Sequence, residues 1–581
     1  MIEEAFSESR EENMTRRMLG WLFSFLPDKW HLVPLACVIG IVMSVLTILF
    51  YKTLTLVSSF VFGLPRYTLL VFPALGAFVS GLMIYKYAPE AEGHGIDAVV
   101  ESFHERDGRV TLRVSLIKAL SSICTLGFGG SGGLGGPIAQ IGAGVGSSLA
   151  RALNCSVQDV RALMLAGCAA GIGAIFKAPL GGAFVSVAVV YREDIEISAL
   201  VPAVFAAITS FVIYSAYIPG DTVLILPESV LMQVEELPAY LLLAALCVGG
   251  GLVFVRLFHT TRALTRRLRI SDYFKPLIGG LLVGGVGYFY PMALGARFSP
   301  LISVVRDDYT LRFLLVLLAL KMLTTCFTVG TGGSGGVFGP SLLMGGLIGA
   351  VLYKVLTMFS LPFMVPPNTA LVIVGMAAFF SCVAKAPIGA LLMACEMTGG
   401  FELIVPLLFV NVLVVIVSKS TTIYTNQVED RFHSPTYMKG IPAFILERIT
   451  IERIYKPCDY FEHLRVLRTD EFAGVLDDLF DQPQVIFPLP VVNEEGVIAG
   501  MITMKKINEI RRQPNWQSCR IREVMYPAVY CYPDDTMLKV IALFKRHVFS
   551  RMPVVDKHTH HLIGLVQYQD VFGNIDDAAD A

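Results

Sequence analysis

The chain has 581 residues, 54% of them hydrophobic and 16% charged, with a formal net charge of −1. Soluble proteins carry about 25% charged residues, so this balance points to a multi-pass membrane protein and away from an ordinary soluble enzyme. A charge near zero gives no sign of a nucleic-acid partner, and the eleven cysteines are scattered without a CxxC pair, which argues against a disulfide framework or a metal site.

Residues 1–30 start polar and carry no signal-peptide pattern; they read as a cytosolic segment, with a short aromatic run at 18–26 lying at the membrane interface. A first membrane half is expected over 31–217. Its spanning candidates begin at 32–51 and about 67–87, followed by a loop, 88–109, that carries Gly93-His94-Gly95-Ile96 just before a helix-like run. Next comes the stretch at 118–140, KALSSICTLGFGGSGGLGGPIAQ, in which an apolar run breaks into glycines and Pro137 opens a new apolar segment. Apolar runs at 138–153 and 160–175, the Lys177-Ala178-Pro179-Leu180-Gly181 turn and a run at 200–217 complete the half.

The second half, 218–430, repeats the first. KMLTTCFTVGTGGSGGVFGP starts at Lys321, and aligning Ser131 with Ser334 (334 − 131 = 203) also pairs Lys118 with Lys321 and Pro137 with Pro340. Lys385-Ala386-Pro387-Ile388-Gly389 echoes the Lys177 turn (387 − 179 = 208). The loop at 256–269 is basic, whereas the corresponding loop at 52–66 has little charge. Basic loops stay cytoplasmic, so the halves are expected to have inverted topology.

After a linker at 431–448 the composition becomes that of a soluble protein. Two similar β-α units follow, expected at 449–515 and 516–575, each with a Pro-Val-Val strand and a glycine before a second strand.

Broken helices survive in a membrane only where they are buried or line a watery cavity. A helix N-terminus there offers free N–H groups and roughly half a positive charge, and glycine lets a ligand approach closely. Three such helix starts converging near the midplane make an anion site. Lys118, Lys321, Lys177 and Lys385 fit the same sign if they face the vestibules; snorkelling to the interface is their plainer role.

At this point the sequence resembles the CLC family of chloride channels and chloride/proton antiporters over nearly its whole length. The family pattern Gly-Ser-Gly-Ile-Pro resembles Gly93-His94-Gly95-Ile96-Asp97, and Gly-Arg-Glu-Gly-Pro falls on Gly133-Leu134-Gly135-Gly136-Pro137. Gly-x-Phe-x-Pro is intact as Gly336-Val337-Phe338-Gly339-Pro340, the pore tyrosine matches Tyr424, and the tail resembles a CBS-domain pair. The resemblance implies an all-α polytopic membrane protein with an inverted repeat and broken helices, followed by a cytosolic α/β CBS pair. It also implies a homodimer in a plasma or inner membrane, with both termini cytosolic. In each pore an anion would be held by amides of Val337 and Phe338 and by the Tyr424 hydroxyl, with His94, Gly95, Ile96, Gly133, Leu134, Gly135, Gly136 and Gly339 around it.

The departures from the family pattern carry as much weight. The gating glutamate is replaced by Gly135, and the antiporters' inner proton position falls on Ala188 and Val189, so the usual proton route is missing. His94 stands where the family has serine: it can donate to an anion or bond a nearby carbonyl. Asp97 is an ordinary first-turn dipole partner, or else a substitute gate. In the tail, Thr503 and Asp570 are the remnants of two incomplete nucleotide motifs, so adenine-nucleotide binding is not favoured and no other cofactor is expected. The leading reading is passive conduction of chloride or a similar small monovalent anion. A coupled antiporter using His94 or Asp97, and a non-conducting anion sensor, are its rivals; an enzyme has little support.

Overall fold

The computed structural model describes residues 32–219, 233–296, 299–306, 309–359, 365–418, 421–435, 449–461, 464–480, 488–511, 515–547, 550–568 and 570. The expected interfacial run at 18–26 and most of the 431–448 linker lie outside them. The chain divides into a helical unit up to Thr436 and a smaller unit from Tyr437.

Among the described residues the helical unit holds two sets of eight α-helices. The first comprises α1 (Val33–Gly63), α2 (Phe72–Tyr87), α3 (Ile96–Glu105), α4 (Leu112–Gly127), α5 (Gly135–Ala152), α6 (Val157–Ile175), α7 (Pro179–Ala188) and α8 (Ile197–Tyr217). The second comprises α9 (Leu237–Arg267), α10 (Lys275–Phe289), α11 (Ser299–Val305), α12 (Leu311–Val329), α13 (Phe338–Phe359), α14 (Asn368–Ala384), α15 (Pro387–Thr398) and α16 (Ile404–Val417). Among the described residues six helices are long and apolar enough to cross a membrane. By contrast α3, α7 and α15, at 10 to 12 residues, rise only about 15–18 Å, too short to cross one.

Two loops expected from the sequence are helical. Residues 52–63 continue α1, and 256–267 form the last turns of α9; each helix runs for 31 residues. A polar or charged face does not end a helix while good helix formers such as Leu and Arg continue its hydrogen bonds; no proline interrupts either stretch, and the one glycine, Gly63, is the last residue of α1.

The repeat is visible as reciprocal contacts. Gly133 N–H donates to Gly336 O at 2.5 Å and Gly336 N–H to Gly133 O at 2.7 Å, forming an antiparallel bridge between equivalent residues. Around it, Ser131 N–H meets Thr328 Oγ1 and Ser334 N–H meets Thr125 Oγ1, again one contact and its image. A local two-fold axis therefore passes between the halves and runs their glycine segments in opposite directions. Farther out, α5 and α6 touch backbone to backbone: a Cβ on Gly142 or Gly167 would lie 2.0 Å from the other's carbonyl oxygen. Gly345 and Gly375 repeat this on α13 and α14. Close approach through small residues is how helices pack where lipid removes the hydrophobic drive.

Among the described residues the smaller unit has two sheets with separate apolar cores. One runs β2 (Leu467–Arg468), β3 (Leu489–Val492), β4 (Ile498–Ile502) and β5 (Tyr526–Pro527); the other runs β1 (Lys456–Pro457), β7 (Leu562–Gln567) and β6 (Arg551–Val555). The linear boundaries expected at 449–515 and 516–575 do not match these sheets. β1 pairs with β7, so 449–457 belong with the later module, while Trp516, Ile521 and β5 complete the earlier one. The chain crosses between modules at each end because an exposed strand edge gains its hydrogen bonds from whichever strand lies beside it, irrespective of sequence order.

Candidate functional site

Three helix starts and one loop meet beside the two-fold. The tightest contact is between the His94 loop and α5: a Cβ on Gly136 would lie 2.0 Å from His94 O, so only glycine fits there. Gly335 N–H donates to Gly93 O at 3.3 Å, which joins the segment before α13 to the same loop. The fourth segment, 421–428, is clamped by Asp97. Its carboxylate accepts from Thr425 Oγ1 at 2.5 Å and from Asn426 N–H at 3.0 Å, while Asp97 O accepts from Asn426 Nδ2 at 3.3 Å. Asp97 thus holds the loop that carries Tyr424, in addition to sitting in the first turn of α3.

Within this junction the His94 and Tyr424 rings lie 5.3 Å apart, both buried. Asp97 N–H donates to His94 Nδ1, so the ring proton sits on Nε2. Nε2 of His94 and Oη of Tyr424 are buried, and among the described residues neither has a hydrogen-bond partner. Both are donors. A buried donor without an acceptor costs about 1–3 kcal/mol, so a pair of them marks a place for a guest that accepts. The first-turn amides of α5 (Gly135, Gly136) and of α13 (Phe338, Gly339) precede the first intrahelical bonds, which Ile138 N–H and Ser341 N–H make to Leu134 O and Val337 O. Leu134 caps α5, and buried Ile96 opens α3 behind the Gly95 turn, whose φ is +87°.

Other expected site residues stand elsewhere or do something else. Gly133 spends both its amide and its carbonyl on Gly336, so it belongs to the seam between the halves and has no N–H for an anion. Three lysines expected to face the vestibules are buried and hold loop carbonyls. Lys118 Nζ donates to Ala91 O at 2.9 Å and Gly93 O at 2.7 Å; Lys321 Nζ donates to the equivalent Ala293 O and Gly295 O at 3.3 and 3.0 Å; Lys385 Nζ donates to Ser418 O and Oγ. An ammonium satisfied by carbonyls is a local brace, and its charge is directed into the loop it folds. Lys177 is half-buried in the left-handed turn between α6 and α7, with φ +53°. Ala188 and Val189 are buried, and Val189 O accepts from Gln427 Nε2 at 3.0 Å.

Several participants carry no motif in the sequence. Gln427 Nε2 also donates to Tyr191 O at 2.7 Å, tying the Tyr424 loop to the end of α7. Arg262, on the last turns of α9, places Nη1 3.6 Å from Asp97 Oδ2. There a cavity of about 620 Å³ opens, lined by Asp97, His259, Arg262, Arg266 and Asn426 among others. On the side of Gly135, a Cβ would lie 2.9 Å from Phe176 Cε2 and 3.2 Å from Phe338 Cβ. The Phe176 and Phe338 rings are 4.7 Å apart, and Phe338 and Phe380 are 4.0 Å apart.

In the smaller unit the two remnants of a nucleotide motif are already engaged. Thr503 Oγ1 accepts from Lys506 N–H and so caps the helix Met504–Ile510. Asp570 accepts from Lys456 Nζ at 3.1 Å, a bond that holds the lysine above its usual pKa. They sit in different modules.

Comparison with known proteins agrees with this geometry. The family profile described as voltage gated chloride channel matches residues 75–419, and a CBS-domain profile matches 521–577. A "putative chloride channel protein ClcB-like" of Ralstonia nicotianae is 28% identical over 350 residues, 60% of this chain and 81% of that protein. The "H(+)/Cl(-) exchange transporter ClcA" of Yersinia pestis is 28% identical over 427 residues, 70% of this chain and 87% of that protein. Two solved structures share the fold at 69% coverage of this chain. A slow cyanobacterial Cl−/H+ antiporter has a TM-score of 0.62 at 21% identity, with 97% of its chain covered; a CLC-type fluoride/proton antiporter has 0.61 at 23%, with 98% covered.

Proposed function

Because the chain belongs to the voltage-gated chloride channel family, we propose that it conducts chloride or a similar small monovalent anion passively through the junction of α3, α5, α13 and the Tyr424 loop. The observation that carries this reading is the pair of buried donors, His94 Nε2 and Tyr424 Oη, which among the described residues have no hydrogen-bond partner and lie between helix N-termini, with Asp97 Oδ2 3.9 Å from Nε2. A cation would find only the wrong ends of these dipoles. Arg262 and Arg266 line the adjoining cavity together with Asp97 and Glu101, and Arg262 is paired with Asp97. By the positive-inside rule the mouth of that cavity faces the cytosol, and with it the termini and the CBS pair. Assembly as a homodimer in a plasma or inner membrane completes the reading.

Uncoupled conduction is favoured over exchange. Position 135 has no side chain to titrate, and Ala188 and Val189 are buried and apolar. Some relatives are named as exchangers of chloride or fluoride for protons, so coupling through other groups is the second reading. Asp97 is a poor substitute carrier, because its carboxylate is occupied by Thr425, Asn426 and Arg262.

Paired anion and proton flux on the purified protein in liposomes decides between them. A chloride gradient is expected to move chloride with negligible proton flux. Uphill proton movement at a fixed ratio to chloride would establish exchange instead.

A further inference from the structure

Resting on that conduction reading, we propose that Phe176 is the outer constriction of the pore, an aromatic stopper occupying the space that a side chain at position 135 would take. Three observations meet here. The first is the 2.9 Å separation between a Cβ on Gly135 and Phe176 Cε2, which places the ring against the bare backbone of the α5 start. The second is the aromatic cluster behind it: Phe176 against Phe338 and Phe338 against Phe380, tilted pairs with centroid distances of 4.7 and 4.0 Å. The third is a complementarity between the halves. Gly135 and Phe338 are equivalent positions in the repeat (338 − 135 = 203), so the glycine of one half faces the phenylalanine of the other across the junction.

The constriction lies at the end of the junction remote from Arg262. Residues run from Arg262 and Asp97, through His94 and Gly136, to Gly135 and Phe176. Cε2 is an edge atom, and the edge of an aromatic ring carries partial positive charge, so the stopper narrows the path without repelling an anion. The backbone under Phe176 is fixed: its N–H donates to Ile172 O, Lys177 N–H to Ala174 O, and Lys177 takes φ +53° before α7 begins. Widening therefore comes from rotation of the ring about its side-chain bonds, a step whose cost grows with the size of the passing ion.

Anion efflux from liposomes containing the full-length protein tests this, with chloride, nitrate and iodide as probes. Phe176→Ala is expected to raise efflux by roughly tenfold or more, and to raise it most for iodide; Phe176→Leu, which keeps bulk without the flat ring, should fall between. Gly135→Ala, which places a methyl against the ring, should slow the wild type strongly and the Phe176→Ala protein little, a coupling expected only of direct contact. A merely structural Phe176 would lower all three rates together when truncated. Wild-type flux that Phe176→Ala leaves unchanged in rate and size order overturns the stopper alone. No anion flux from either folded protein overturns the conduction reading and the stopper with it.

Discussion

The main-chain N–H of Asp97 donates to Nδ1 of His94 at 3.4 Å, and this bond leaves the ring proton on Nε2, which lies 3.9 Å from Asp97 Oδ2 in a ring 5.3 Å from that of Tyr424. Serine in that place would offer a rotatable hydroxyl. The imidazole offers a donor whose direction is set by the first turn of the helix that follows it.

Replacing His94 with Ala should therefore weaken anion binding. A hydrogen bond to a charged group contributes about 1.5–3 kcal/mol, or roughly 10- to 150-fold in Kd. His94→Ser, which restores a donor, should recover part of that loss. Isothermal titration of the detergent-solubilised protein with chloride or bromide measures both.

Tyr424→Phe separates binding from folding. The Oη has no acceptor among the described residues, so its removal leaves no stranded partner, and thermal stability without anion should hold or rise slightly. Stabilisation by added anion should shrink, because a ligand protects only in proportion to its affinity. A loss of stability in anion-free buffer would mean that Oη bonds something in the folded protein.

The lysine braces give a matched pair. Lys118→Met and Lys321→Met each remove a donor from two carbonyls; Gly93 O keeps Gly335 N–H and Ala293 O keeps Thr324 Oγ1, so among the described residues each change strands one carbonyl, Ala91 O or Gly295 O, at about 1–3 kcal/mol per unsatisfied group. Similar falls in unfolding temperature are expected for both. Only Lys118→Met should also weaken anion binding, since Gly93, which Lys118 holds, precedes His94. Equal effects on binding would return both lysines to a general electrostatic role.

A pH effect is expected in the soluble modules. Asp556 accepts from the N–H groups of Thr559 and His558 and from the Thr559 hydroxyl, which together hold its carboxyl below the usual 3.8. A carboxylate depressed in the folded state stabilises at neutral pH, and the contribution disappears as pH falls through the lowered folded value. Protection from hydrogen exchange at 556–561, taken relative to the intrinsic rate at each pH, should thus fall in acid in the wild type. Asp556→Ala should show the lower protection already at neutral pH.

The repeat and the helix starts were legible because both rest on local signals: glycine clusters, prolines at fixed offsets and apolar runs of helical length. What Lys118 and Lys321 do was not. A lysine in an apolar run says only that its charge must be met somewhere, and the carbonyls that meet it lie 25 to 28 residues away. Phe176 was hidden for another reason. An aromatic at the end of an apolar helix is ordinary, and it becomes informative only when the space beside Gly135 is known. The module boundaries slipped because β1 finds its partner in β7, more than a hundred residues later, and no feature of Lys456-Pro457 announces it.

The Gly133–Gly336 bridge also sets a timetable. Until residue 336 has left the ribosome, the amide and carbonyl of Gly133 have no partner in the chain, and 203 residues (336 − 133) separate the two. At ordinary rates of synthesis this interval is on the order of 10–40 s. The first half must spend it with polar backbone open at its centre, in the environment least able to satisfy it. The newborn protein is thus most vulnerable in mid-translation, and co-expressing the halves as two separate chains should yield folded protein only when both are made together.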